Sequence, residues 1–167
     1  EPIDRDGVHA KQGKVNEEIL SELMAYEFIQ KSPPKSTGRH EFGKGLVKSI
    51  IKNYTTTSPD DLIRTFCIFT AKSIAENMNK FLNFNISDVR MIVSGGGIHH
   101  FVLMKDIQKY TRISELRTVD NYGIQPDFKE ALLMAVLGVA HIQKMTANMP
   151  TVTGAKKMVV LGSLIQK

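Results

Sequence analysis

The stretch from Ser58 to Leu82 constrains the fold more than any other part of this sequence. Ser58-Pro59-Asp60-Asp61 is a helix start in which every residue type has a task. Serine caps free amides, proline's fixed φ suits the first helical position, and the two acids face the positive end of the backbone dipole. Leu62, Ile63, Phe66, Phe69, Ile74, Met78, Phe81 and Leu82 then keep an apolar stripe for about six turns at 3.6 residues per turn. A chain of 167 residues is long enough to build one ordinary domain with a real core. Cys67 falls within the helix and is expected as a small core residue, not a nucleophile.

Weaker signals flank this helix. Ile19, Leu20, Leu23, Met24 and Phe28 predict one helix over residues 15–30, stopped by Ser32-Pro33-Pro34. Leu46, Val47, Ile50 and Ile51 predict a short amphipathic helix, whereas residues 1–13 show no element start. From residue 89 the pattern alternates: a strand at 89–93, a helix near 101–108, a strand at 116–119, an apolar helix at 128–145 and a strand at 159–161. That order favours a small, mainly parallel sheet with helices packed on it. The longest apolar run, Ala131 to Ala140, is far short of the ~20 residues of a membrane span and reads as a buried helix. No repeat, low-complexity tract or domain linker stands out, so a single domain over 1–167 is expected.

Composition excludes several classes of function. The net charge is +5, and Lys31, Lys35, Arg39, Lys44, Lys48 and Lys52 cluster in the first third. Such a patch attracts nucleic acid, acidic partners or phosphorylated small molecules alike. Aromatic residues make up 7% of the chain, tryptophan is absent, and no stacking residues interleave the lysines; a single-strand nucleic-acid platform is therefore not expected. One cysteine suits a reducing compartment, and Glu1-Pro2-Ile3-Asp4 does not resemble a signal peptide. Both point to a cytoplasmic protein.

The chemistry-bearing signal is Ser94-Gly95-Gly96-Gly97-Ile98-His99-His100 directly after a strand. Glycine permits positive φ and close approach of a ligand to the main chain, and the helix behind it offers amides to an anion. A nucleotide fits these properties, and so does a plain turn. A Walker loop is excluded, because Ile98-His99 stands where Lys-Ser/Thr is required. A dinucleotide fingerprint would need glycine where His100 stands, with Glu115 or Asp120 as the ribose acid. Adjacent histidines diverge by about 100° on a helix and cannot chelate one metal together.

Five stretches in register carry a resemblance. They are Asp4 to Val15, Pro34-Lys35-Ser36-Thr37-Gly38-Arg39, the triple glycine, Gly123-Ile124 with Asp127 and Glu130-Ala131, and Val152-Thr153-Gly154-Ala155. In this order and spacing the chain resembles the C-terminal half of the anhydro-N-acetylmuramic acid kinases. The resemblance implies a helix-rich, partial second domain of the α/β actin–hexokinase-like ATPase fold, with two domains closing on ATP and Mg2+. The reaction implied converts 1,6-anhydro-N-acetylmuramic acid, ATP and water to N-acetylmuramic acid 6-phosphate and ADP, in peptidoglycan recycling. Partners would be the amino sugar and ATP, with neither nucleic acid nor membrane, and a homodimer as an option.

Under that resemblance Gly95, Gly96 and Gly97 form the adenosine-side wall, and Glu130 is a carboxylate near the sugar. Glu130 is equally explained as an acid at a helix start. Lys35, Ser36, Thr37 and Arg39 carry donors suited to a phosphate or sugar, though the same loop could serve packing between domains. The family usually has Asn-Pro where this chain has His100-Phe101, which questions a polar ribose contact at 100. The family's phosphate loop and its water-activating acid do not occur in this sequence. These residues alone are therefore expected to lack a catalytic residue and a metal ligand, and to be inactive. Alternatives are a non-catalytic module binding acidic partners through the basic loop, and a small dinucleotide-binding domain.

Overall fold

The computed structural model describes residues 3–83, 85 and 88–165; Glu1 and Pro2 of the opening segment lie outside them. Among the described residues the α-helices and strands are, in order, helices α1 (Val8–Gln12), α2 (Glu17–Met24), α3 (Glu27–Gln30), α4 (Lys44–Asn53) and α5 (Pro59–Phe81), strand β1 (Arg90–Val93), α6 (Phe101–Thr111), strand β2 (Glu115–Thr118), α7 (Lys129–Ile142) and α8 (Pro150–Thr153). The two strands are parallel neighbours, with Arg90 opposite Glu115 and Val93 opposite Thr118. The architecture is a helix-rich α/β unit with a small parallel sheet.

α5 is the spine, and it starts as its sequence dictates. The Ser58 hydroxyl accepts from the Asp61 amide at 3.1 Å, with Pro59 in the first turn. Ile19, Leu20 and Leu23 of α2, Ile29 of α3, and Leu46 and Ile50 of α4 close a core on Ile68 and Phe69. Elsewhere on α5 lie α1 and α6. The α5–α6 seam holds an ion pair: Arg64 donates from both terminal nitrogens to Asp106, its Nη2 reaching Oδ1 at 3.2 Å. Cys67 is buried there, with Sγ 3.5 Å from Asp106 Oδ2. Burial, reinforced by the neighbouring Asp106 charge, pushes its thiol up to about 12. Iodoacetamide at about pH 8 should therefore leave Cys67 of the folded chain unmodified and label it on unfolding. Ready labelling without unfolding would show the seam to be open.

Four expectations are corrected. First, the predicted helix over 15–30 is two helices. Tyr26 leaves the helical region at φ −57°, ψ 131°, and both Tyr26 and Phe28 reach Phe42, with ring centroids 5.8 and 5.7 Å apart. On one continuous helix, side chains two positions apart would diverge by about 200°. Second, residues 1–13 do contain structure: a 3₁₀ turn at Arg5–Gly7 runs into α1. Five residues are too few to display a helical period.

Third, the strand expected at 159–161 does not form. Val159 donates its amide to the Asn148 carboxamide at 2.6 Å and accepts at its carbonyl from Ala147. Those bonds hold the segment against the connection between α7 and α8 instead of a sheet edge. Fourth, α7 is not buried as expected. Leu132, Leu133, Met134, Val136, Val139 and Ile142 are all exposed. An apolar helix announces that it can be covered, but the cover has to come from other residues.

Candidate functional site

Parallel strands send both of their following turns to one edge, and that edge is where ligands of open α/β sheets bind. β1 feeds Ser94 and the glycines, with a 3₁₀ turn at Gly96–His99; β2 feeds the turn Val119–Tyr122, closed by Gly123 at φ 77°. The two turns that the sequence singled out thus share the carboxyl edge of the sheet. Gly95 has φ 86°, a conformation that asks for glycine. A Cβ on Gly95 or Gly96 would meet no heavy atom within 4 Å, and one on Gly97 would meet only the Leu103 side chain, at 3.9 Å. Packing of the chain itself therefore does not require glycine at 96. Bare main chain facing open space is what a flat ligand needs if it is to lie against the backbone.

His100 follows as the N-cap of α6. Its Nδ1 accepts from the Leu103 amide at 3.1 Å, and its Nε2 lies 3.1 Å from the Asp4 carboxylate. Asp4 also accepts from the amides of His9 and Ala10, both at 2.9 Å. Burial opposes ionisation of Asp4, but those two amides and the imidazole outweigh it and hold its carboxyl below the ordinary value. A polar ribose contact from position 100 is thereby disfavoured, since the ring faces its own chain. His99 is exposed on the preceding turn, so the two histidines do different work.

The rival acids fare differently. Glu115 stands at the amino end of β2, three residues or ~10 Å from the glycine edge. It is paired with Arg117 at 2.6 Å and Arg90 at 3.2 Å, which removes it as a ribose ligand. Asp120 lies at the correct edge, accepting from the Thr118 hydroxyl.

The basic loop is placed elsewhere. The Lys35 ammonium donates to the carbonyls of Phe28 at 3.0 Å and Ile29 at 3.3 Å. It also sits over the rings of Phe28 and Phe81, 4.8 and 4.7 Å from their centroids. Burial, with Lys80 next in weight, holds it below its ordinary pKa. Lys35 thus ties the loop to α3 and α5. Ser36 and Arg39 are exposed. Thr37 donates its hydroxyl to Glu41 and lines a groove of about 320 Å³ floored by Phe28, Phe42 and Phe69. The Val152–Ala155 motif meets this loop, since a Cβ on Gly154 would lie 3.7 Å from the Pro34 ring.

The loop and the glycine turn do not converge within this chain. Lys35 leans on Phe81 at the carboxyl end of α5. Asp4 is anchored beside His9, whose ring is 2.7 Å from Asp60 at the amino end. The 23 residues of α5 span about 35 Å. Glu130 lies exposed in the first turn of α7, 3.2 Å from Lys129. Hydrogen bonding from Lys129, followed by a backbone amide, lowers its carboxyl below the ordinary value. Among the described residues no group of three or more histidine, cysteine or acidic side chains is placed to hold a metal ion, and no helix is long and apolar enough to cross a membrane. Asp4 is the residue that sequence reasoning missed. Its signal was an aspartate a few positions ahead of a short helix, a capping arrangement.

These features define a class: a helix-rich α/β unit that presents naked main chain at the ligand edge of a parallel sheet. Over residues 1–167 the chain matches the family model described as anhydro-N-acetylmuramic acid kinase. Curated relatives of that name include a Clostridioides difficile protein, 36% identical over 164 residues that cover 98% of this chain and 43% of the relative. Those of Salinibacter ruber and Francisella tularensis subsp. novicida are 35% and 37% identical, over 98% and 96% of this chain and 42% of each relative. The chain belongs to the anhydro-N-acetylmuramic acid kinase family. It spans about 43% of the length of the Clostridioides difficile relative.

Proposed function

We propose that these residues form the adenosine side of an ATP-dependent sugar kinase. The whole enzyme would open the 1,6-anhydro ring of N-acetylmuramic acid with water and transfer the γ-phosphoryl group to the 6-hydroxyl. The observation that carries this reading is the turn at Gly95–Gly97, whose Cβ positions are open at 95 and 96 and nearly so at 97. A purine and its ribose would lie along this main chain at the carboxyl edge of β1 and β2.

In this reading Mg2+ arrives with the nucleotide phosphates. Glu130, kept ionised by Lys129, is the carboxylate assigned to the sugar. Ser36, Thr37 and Arg39 are the polar groups this reading assigns to the sugar, on a loop that Lys35 shapes from below and that this chain alone holds away from the glycine turn. Phosphoryl transfer depends on positioning and on charge stabilisation. The phosphate loop and the acid that activates water belong to the remainder of the kinase, so this chain alone is expected to bind nucleotide without turnover. A cytoplasmic location fits the substrate.

Amide spectra of the 15N-labelled chain, titrated with Mg-ATP to millimolar concentration, test the reading. The signals of Gly95, Gly96 and Gly97 should move, and Gly96→Val should abolish the response by placing a side chain where the base lies. No movement in the folded wild-type chain would defeat the adenosine assignment. A stronger response to reduced nicotinamide dinucleotide than to ATP would replace it with the dinucleotide-binding alternative.

A further inference from the structure

We propose that His100 is a positioning residue: Asp4, acting through its imidazole, sets the glycine turn in its open geometry before any ligand arrives. The geometry fixes the proton. The Leu103 amide can only donate, so Nδ1 of His100 must accept. Nε2 then carries the hydrogen and donates it to Asp4. One neutral ring thus satisfies the first turn of α6 on one side and a buried carboxylate on the other. The Asp4 side chain is 8% exposed and that of His100 19%, so water competes weakly for either bond.

Two further observations make this a brace and not a chance contact. Asp4 has no freedom to follow the ring, because the amides of His9 and Ala10 hold both of its oxygens. Gly7, at φ 77°, lets the main chain pass against the ring: a Cβ there would lie 2.8 Å from His100 Cε1 and 2.7 Å from Val102 Cγ2. The ring is therefore gripped between residues 4–7 and α6. His100 in turn ends the glycine turn directly, its own amide bonding the Gly97 carbonyl at 3.1 Å. The hydrogen-bonded path from Asp4 to Gly97 runs through His100, although the two residues are 93 positions apart. Relevance to nucleotide binding rests on the adenosine reading above; the brace itself does not.

Imidazole 15N shifts of the wild-type chain give the first test, which needs no variant. The Nε2–H tautomer is expected near neutral pH, and a predominant Nδ1–H tautomer would overturn the proposal. Hydrogen exchange gives the second. His100→Ala should speed exchange of the Leu103 amide by about fivefold, one cap bond being worth ~1 kcal/mol. His100→Asn, which restores a capping oxygen, should recover that protection. Amides in the middle of α5 should keep theirs in both variants, which reports that they remain folded.

The third test is Asp4→Ala, which should shift the amide signals of Gly95–Gly97 and weaken their response to Mg-ATP several-fold. Unmoved glycine signals in a folded Asp4→Ala chain would overturn the brace. Should Asp4→Ala fail to fold, the tautomer and the His100→Asn rescue still decide. A wild-type chain that ignores Mg-ATP defeats the adenosine reading, while the tautomer and exchange results continue to judge the brace.

Discussion

Asp106→Ala is expected to lower the unfolding free energy by about 3 kcal/mol, enough to remove much of the stability of a domain this size. The reason is asymmetric. Asp106 accepts from both terminal nitrogens of Arg64 and faces the buried Cys67 thiol in the α5–α6 seam. Removing the carboxylate leaves the largely buried Arg64 guanidinium charged without that partner, and it is already held above its ordinary pKa, first by its bonds to Asp106. The estimate sits at the low end for a broken buried pair because a fifth of the Arg64 side chain remains in water. Replacing both partners, Arg64→Met with Asp106→Leu, should recover most of the loss, since the unpaired charge goes as well. Urea unfolding of the three proteins, with equal denaturant slopes, checks this. A single Asp106→Ala variant as stable as wild type would show that the seam does not depend on the pair.

Gly13→Ala should cost about as much, roughly 3 kcal/mol, by a steric route. Gly13 has an ordinary extended backbone at φ −73°, ψ 160°, so its conformation is open to any residue. Space is what forbids a side chain: a Cβ would fall 2.0 Å from the Asp60 carbonyl oxygen and 2.9 Å from the Asp61 amide. Relief requires moving the first turn of α5. That turn anchors the opening segment through His9 to Asp60 at 2.7 Å and the Lys14 amide to Asp61 at 2.6 Å, and the next turn adds the Asn16 amide to Thr65 at 2.9 Å. Gly45 is the control. It lies in α4 with nothing within 4 Å of its Cβ position, so Gly45→Ala should be neutral or stabilising by about 0.5 kcal/mol. Thermal unfolding that moved equally for both would refute the close-approach argument.

Much of the fold could be read from local chemistry. Ser58, Pro59, Asp60 and Asp61 fixed where α5 begins, because caps and dipoles act within one turn. β1, α6 and β2 were found because hydrophobic periods and glycine breaks are visible in a window of ten residues. The glycine turn was likewise visible, though not the open space beside its Cβ positions.

The misses share one cause: each depended on a partner far along the chain. That the Lys35 ammonium bonds the carbonyls of Phe28 and Ile29 and rests on the ring of Phe81 was not visible in the sequence. Nothing near His100 in the sequence announced Asp4, 96 positions away, as the partner of its ring. The burial expected for α7 rested on its composition, which records apolarity and not what covers it.

By itself, then, the sequence determined the helices with strong periods, the caps of α5, the parallel β–α–β order, and the family that five motifs in register identify. Tertiary structure alone decided which donors stay free, where the opening segment docks, and which glycines face open space. Periodicity and capping are set by neighbours within a few residues. The partner of a buried charge, and the room beside a bare backbone, are set by segments that only folding brings together.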